Sequence, residues 1–347
     1  MNKKVLAVLL LSAALLLTAL GNTGVAQKKK VVIDLKVIRE GQYRVKDPDY
    51  KDWALFNEFV DSLKSWGYDV VVAYGGINSS ILKDADALVV GKLELPECKF
   101  DQSEIDAIKN WFSQGGKFLW IGADSDYLEP ELREGGTAAF KALEPNRILE
   151  AIGSSIRINP TSVEDTKDNA GAAYRVVSRT KNTQGEAGQI TSGVTQVLFH
   201  GPTCVVGFKN GKPVDFSEVE SETCFWLFKT SENGRIADHD DTDPFVYDRG
   251  EKGSFVLAAA EKIKVGGAYS KVIVTGESII GDRNIFTKGP YHNLTYDGPT
   301  FVKNAFAWGT TVEKAGLPIQ VIAAVIVVIV VIAAVAAFLM MKKKKKE

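Results

Sequence analysis

The stretch FDQSEIDAIKNWFSQGGKFLWIGADSD, residues 100–126, carries the architecture in miniature. Ile105, Ile108, Trp111 and Phe112 recur three and four apart, so Ser103 to Phe112 forms an amphipathic helix with one apolar stripe toward a core. Ser103 and Asp106 have the spacing of a capping box, and Gly115-Gly116 supplies residues that can end the helix in a left-handed backbone. Phe118-Leu119-Trp120-Ile121 follows as an apolar run without alternation, which belongs to a strand covered on both faces. The run stops at Gly122 and turns polar at Asp124-Ser125-Asp126. In an open parallel sheet that is where a strand delivers side chains to a ligand.

Upstream, the same alternation repeats. Val31-Val32-Ile33-Asp34 is a short β-branched strand ending in an acid. Trp53 to Trp66 carries Leu55, Phe56, Phe59, Val60 and Leu63 at helical spacing and closes at Gly67. Strands follow at Asp69–Ala73 and Ala87–Gly91, joined through a short helix or turn at Ser80–Ala85. This β-α-β-α-β-α-β order predicts a mostly parallel central sheet with helices on both faces.

Downstream the pattern loosens. A helix is expected at Asn146–Gly153, a strand at Ile156–Ile158, and loops from Thr161 to Thr191 with one strand near Tyr174–Val177. Strands return at Val194–His200, Thr203–Phe208, Cys224–Lys229 and Lys271–Thr275, with a helix at Phe255–Ile263. The alternating middle runs predict an antiparallel excursion from the parallel sheet.

The two ends have their own character. Lys3 and Lys4 precede the apolar run Val5–Leu20, and Gly24-Val25-Ala26 suits cleavage before Gln27, so residues 1–26 have the form of a signal peptide, with an uncleaved anchor as the alternative. Ile319–Met341 is 23 residues without a charge. At about 1.5 Å per residue it is long enough to cross a hydrocarbon core of about 30 Å. Lys342–Lys346 then hold the tail, 342–347, on the cytoplasmic side. The expected layout is an extracytoplasmic domain over 27–309, a linker over 310–318 and a single transmembrane helix over 319–341 in a type I topology, at the cell membrane.

Of 42 basic and 43 acidic residues, seven lysines and Glu347 lie in those ends, which leaves the exported part at a net charge of −7. That balance argues against nucleic acid as a ligand. Three cysteines are too few for a disulfide framework. Cys204 and Cys224 could close one bridge worth roughly 3 kcal/mol, leaving Cys98 in the loop ELPECKF without a nearby His.

The segments VVID (31–34), LKDADALVVG (82–91), residues 100–126, KVIVTGESIIGD (271–282) and YDGPTFVKNAFAW (296–308) together resemble the class I glutamine amidotransferase-like fold. The likeness is to its non-catalytic extracytoplasmic branch: accessory components of gliding-type ABC transporters and, more distantly, the 48-kDa subunit of the oligosaccharyltransferase. The resemblance implies a membrane-anchored binding or scaffolding domain whose partner is an integral membrane complex, an ABC permease or an oligosaccharyltransferase catalytic subunit. Compared with that 48-kDa subunit, the chain lacks an extra β domain before the membrane. In catalytic members of the fold a Cys stands on the turn after the strand that here reads FLWIG; this turn is Gly122-Ala123-Asp124-Ser125-Asp126, without a thiol. Amidotransferase chemistry is therefore not expected.

Other chemistry has candidates. Ser125, with His200 as base and Glu277 as orienter, would be a hydrolase triad gathered at strand ends, although the turn lacks the Gly-x-Ser-x-Gly elbow. Asp124 and Ser125 equally suit a turn cap. Asp238, His239, Asp240, Asp241 and Asp243 pack acids at the density Ca²⁺ favours, without the glycine and distal glutamate of an EF-hand; a solvated acidic loop is the alternative. No other cofactor is expected. Asp34, Lys92, Glu94, Asp124 and Glu277 fall near strand ends and form an expected ligand-binding rim. Asn78-Ser79-Ser80 and Asn293-Leu294-Thr295 are N-glycosylation sequons.

Overall fold

The computed structural model describes residues 28–36, 51–91, 93, 99–127, 138–240, 242–281 and 283–316. The expected signal peptide, the span 319–341, Cys98, Lys92, Glu94 and Asp241 lie outside them. Among the described residues no helix is long and apolar enough to cross a membrane.

The quoted stretch forms helix α3 (Gln102–Phe112) and strand β4 (Phe118–Gly122). Gly115 and Gly116 take φ of 80° and 71° between them, the left-handed turn that the sequence requires. The cap is set two residues earlier than its expected place: Asp101 is the N-cap, and Glu104 accepts from its amide at 2.9 Å. Glu104 wins the role because its carboxylate is also held from outside the helix, by the Ile77 amide at 3.0 Å and Lys36 Nζ at 2.5 Å.

Around β4 lie β1 (Lys30–Asp34), β2 (Asp69–Ala73), β3 (Ala87–Val90) and β16 (Ala268–Thr275), parallel in the order β2-β1-β3-β4-β16. Every residue of β3 and β4 is buried, which requires cover on both faces. The helices that supply cover include α1 (Lys51–Ser65), the short α2 (Ser79–Leu82), α4 (Phe140–Ala151), α5 (Gly185–Ile190) and α6 (Gly298–Gly309). Phe301 and Phe306 of α6 meet Trp120 of β4 at ring separations of 5.6 and 6.1 Å. Trp111 of α3 donates its indole N–H to the Ala85 carbonyl at 2.8 Å, so this large ring is buried without an orphaned donor. One hydrophobic cluster runs from Val31 to Trp308 through all of these elements.

Beyond β16 the sheet turns antiparallel through β15 (Val256–Val265), β12 (Cys224–Lys229) and β8 (Thr180–Lys181). The expected excursion is thus present, but its centre is a surprise. Phe255–Ile263, expected as a helix, is strand β15, paired over eight positions with β16 and on its other side with β12. Its Ala258-Ala259-Ala260 run favours helix locally, yet burial between two strands overrides a propensity of a few tenths of a kcal/mol per residue.

In the region 161–191 the strand expected near Tyr174–Val177 forms as β7 (Arg175–Ser178), and the expected loops also hold β6 (Ser162–Asp165), β8 and α5. Strand β7 pairs with β9 (Val197–His200), and β6 pairs with β13 (Gly234–Ala237), which also pairs with β14 (Lys252–Gly253). The expected linker starts as structure: β17 (Glu313–Lys314) pairs with the start of β16, and Ala315 donates to the Gly267 carbonyl at 3.0 Å. Lys29 Nζ donates to the Thr310 carbonyl, so the described chain begins and ends at one edge of the sheet, the amino-terminal edge of the parallel strands.

Candidate functional site

In the order β2-β1-β3-β4-β16 the chain reverses direction of growth between β1 and β3, and ligands of open sheets bind outside the carboxyl ends of strands near such a point. Asp34 ends β1, Asp124 and Ser125 follow β4, and Glu277 follows β16, so three of the expected rim positions share this edge.

The edge is sealed. After Thr275 the chain turns across the ends of β3 and β4 as Gly276-Glu277-Ser278-Ile279-Ile280, and the last four of these are at most 2% exposed. Gly122 is pressed so close that a Cβ there would stand 2.6 Å from the Cα of Ser278, and one on Gly276 would stand 1.9 Å from the Thr203 carbonyl oxygen. Only glycine fits at either place. Ala123, where the turn begins, is fully buried.

Ser125 is held as part of this closure. Its amide donates to the Gly201 carbonyl at 3.1 Å, and its hydroxyl accepts from the Tyr127 amide at 3.4 Å. Among the described residues it makes no hydrogen bond to His200, whose ring instead lies between those of Tyr174 and Tyr291, at 5.4 and 6.1 Å. The structure thus does not join Ser125 to the base expected for it. Asp124 is spent on Lys141, 3.0 Å away and more buried still, and Lys141 also donates to the Tyr127 carbonyl at 2.8 Å. Lys141 and Asp126 escape a reading of the sequence alone, since their partners lie far along the chain.

Asp34 is 0% exposed, and its Oδ2 has no hydrogen-bond partner among the described residues. Burial pushes its carboxyl from 3.8 up to about 7, against the pull of the Lys36 amide, while Glu104 nearby raises it further.

Neither described cysteine stands on the turn after β4. Cys204 and Cys224 are buried free thiols, so the expected bridge is absent. Cys204 precedes β10 (Val205–Lys209), in a three-stranded sheet with β5 (Ile156–Ile158) and β11 (Lys212–Val214), while Cys224 opens β12 in the main sheet. Spacing along the chain could not show that the two belong to different sheets. Burial pushes the Cys204 thiol up to about 12 and the Cys224 thiol up as well, the reverse of activation.

The acidic loop does fold onto the edge. Asp238 and Asp240 come within 4.8 Å of Asp126, the last acid of the quoted stretch. Most of the oxygens, however, already accept hydrogen bonds. Asp126 accepts from the Ser162 hydroxyl and the His239 amide (2.9 Å); Asp240 accepts from the amides of Thr242 (2.7 Å) and Ala138 (2.6 Å). Asp238 Oδ1 accepts from the Asp240 amide at 3.3 Å, and its buried Oδ2 is ion-paired to Arg249 Nε at 2.6 Å without an aligned hydrogen bond. Asp243 is exposed, 4.0 Å from Arg249. The cluster therefore works as an anchor that ties the loop after β13 to the turn after β4. Both sequon asparagines, Asn78 and Asn293, are exposed.

At the opposite, amino-terminal edge a cavity of about 510 Å³ is lined by Glu186, Lys271, Asn304, Trp308 and Glu313, among others. Its charges are matched internally: Lys262 meets Glu186 and Glu313, and Lys271 lies 3.8 Å from Glu313.

No protein-family model matches the chain, and no curated protein matches it. Among solved structures, the mmIFT52 N-terminal domain aligns at a TM-score of 0.50 and 12% identity, over 83% of this chain and 100% of that one. A ThuA-like protein from Bacteroides uniformis aligns at 0.46 and 12% identity, over 85% and 97%. A GMP synthase component from Thermoplasma acidophilum aligns at 0.35 and 10% identity, over 81% and 94%. At such identities the likeness is one of fold, a mixed α/β chain around a parallel central sheet.

Proposed function

We propose that this chain is a membrane-tethered, extracytoplasmic domain of glutamine amidotransferase-like fold that binds or scaffolds without catalysis, as an accessory component of an ABC-type transport system. The observation that carries the reading is the sealed carboxyl edge. Where a hydrolase of this fold would present a nucleophile, Ala123 is buried, Gly122 is closed over by Ser278, and neither described cysteine, both buried, stands on that turn. A nucleophile needs an adjacent base and an open approach, and Ser125 has neither the hydrogen bond nor the exposure.

The placement of the ends supports tethering. Lys29 and Thr310 meet at the amino-terminal edge, so the described chain enters and leaves on the side opposite the sealed edge. Ile319–Met341 begins three residues beyond Gly316, the last described position, which leaves little slack between domain and bilayer. A domain held so close is suited to packing on the outer surface of a membrane complex.

The test is co-purification. The full chain, isolated from detergent-solubilised membranes and analysed by mass spectrometry, is expected to bring with it a polytopic permease and its ATPase. Recovery of a multi-span glycosyltransferase in their place would move the assignment to an oligosaccharyltransferase accessory role. Recovery of the chain alone would overturn the accessory reading.

A further inference from the structure

Strands β7 and β9 pair antiparallel with Arg175 directly opposite His200. Tyr174, 40% exposed, lies against both: the Arg175 guanidinium carbon is 4.9 Å from its ring centre, and the His200 ring stands edge-on at 5.4 Å. Tyr291 approaches the same pair, 5.8 Å from the Arg175 guanidinium and 6.1 Å from the imidazole. Arg283 is 5.0 Å from Tyr291, and His292 packs against that ring at 4.4 Å. Two guanidinium groups thus alternate with two phenol rings, bordered by two of the chain's three histidines.

Arg175 is the unusual member. Arg147, Arg179, Arg235 and Arg249 are each ion-paired to a carboxylate, and Asp168, on the loop leading to β7, is taken by Arg179 at 2.6 Å. Among the described residues the Arg175 side chain has no ion pair and no hydrogen bond, and its Nε is buried without an acceptor. A donor buried without an acceptor is costly to leave so. Stacking on aromatic faces fixes the plane of the group while leaving its terminal N–H groups without an acceptor among the described residues, a geometry that can meet an oxyanion with two parallel hydrogen bonds.

The segment that brings Tyr291 to this place is itself constrained. His292 and Asn293 are consecutive non-glycine residues in the left-handed region, with φ of 48° and 60°. Paired hydrogen bonds between Tyr291 and Leu294, at 2.9 and 3.1 Å, close the turn. The Tyr296 hydroxyl donates to the Tyr291 carbonyl at 3.1 Å. Backbone of this kind is costly and persists where its surroundings hold it.

We propose that the stack formed by Tyr174, Arg175, Tyr291 and Arg283 is an oxyanion-binding site, taking a carboxylate, sulfate or phosphate group. It lies by the carboxyl edge, because Gly201, next to His200, receives the Ser125 amide; the site therefore faces away from the edge where the described chain begins and ends. The oxyanion is carried either by a free inorganic ion or by an acidic surface polysaccharide. The site does not depend on which membrane complex the domain serves.

The experiment is calorimetry of the full chain in detergent micelles at low salt, with sodium sulfate, sodium phosphate and a sulfated oligosaccharide as separate titrants. Saturable heat is expected from at least one of them. Arg175→Gln and Arg175→Lys should each weaken binding about tenfold or more, since neither keeps the fork. Arg283→Gln should weaken it as well, and Arg235→Gln, in an exposed ion pair elsewhere, should leave it unchanged. Melting temperatures near the parent's would show that Arg175→Lys is folded. Tighter binding of the oligosaccharide than of either ion identifies a polymer as the source, and equal affinity identifies the free ion. The proposal is overturned if no titrant gives heat at millimolar concentration, or if both Arg175 variants bind like the parent.

Discussion

The amide of Ser125 donates to the carbonyl of Gly201 across 3.1 Å, tying the turn after β4 to the end of β9. That bond uses the backbone of the one residue on the turn that could have replaced a cysteine, and it holds the side chain inward, 5% exposed.

Ser125 is accordingly expected to be dispensable for chemistry. The parent chain should hydrolyse neither glutamine nor a panel of simple esters and amides above the buffer rate. Ser125→Ala should fold with a loss below about 1 kcal/mol, since it removes only the long contact from the Tyr127 amide. Turnover in the parent that disappears in both Ser125→Ala and His200→Ala would restore the hydrolase reading.

The acidic cluster should not take up calcium. Asp126 and Asp240 already accept from Ser162, His239, Thr242 and Ala138, and Asp238 is ion-paired to Arg249, so a bound ion would have to displace or share these groups. Titration of the full chain with Ca²⁺ to millimolar concentration should give no saturable heat and no rise in melting temperature. A rise that Asp126→Asn abolishes would show that the anchor is a metal site.

Asp124 and Lys141 form a pair whose side chains are only 12% and 8% exposed. Removing one partner strands a buried charge, so Lys141→Met should cost about 3 kcal/mol or more, as should Asp124→Leu. The double variant should recover much of the loss. Additive losses in a denaturant-based double-mutant cycle would show that the two residues do not act on each other.

Stability should fall as pH rises, with Asp34 one cause. Its folded carboxyl titrates near 7 against an ordinary value of 3.8, so the folded state favours the neutral form. The contribution is complete below the unfolded value and is lost as pH rises through the folded one, with a slope of at most about 1.4 kcal/mol per pH unit. Burial acts in the same direction on Asp126 and Glu261. Urea midpoints should therefore drop between about pH 4 and pH 7, and Asp34→Asn should flatten part of that drop. An unchanged slope in Asp34→Asn would refute the assignment.

Local periodicity made the parallel half of the fold readable. The apolar run 118–121 and the stripe Ile105, Ile108, Trp111, Phe112 each report a single burial geometry, and both elements formed where expected. Phe255–Ile263 misled because Ala, Glu and Lys suit a helix locally, whereas the deciding contacts, β16 on one side and β12 on the other, are not local. The site divides in the same way. Asp34, Asp124 and Glu277 were legible because strand ends gather at one edge. The closure by Ser278 over Gly122, the Lys141 partner of Asp124 and the unpaired guanidinium of Arg175 depend on segments that meet only in the fold. The disulfide expectation failed for that reason too, since spacing does not report which sheet a strand joins.

The absence of an activated thiol among the described residues is tested most directly by iodoacetamide labelling of the native full chain at neutral pH, with the modified sites located by mass spectrometry. Cys204 and Cys224, both buried and with thiols pushed up by that burial, should remain unlabelled until denaturant unfolds the domain. Rapid labelling of either in the native state, slowed by His200→Ala, would reveal an open cleft with a working thiol and contradict the account.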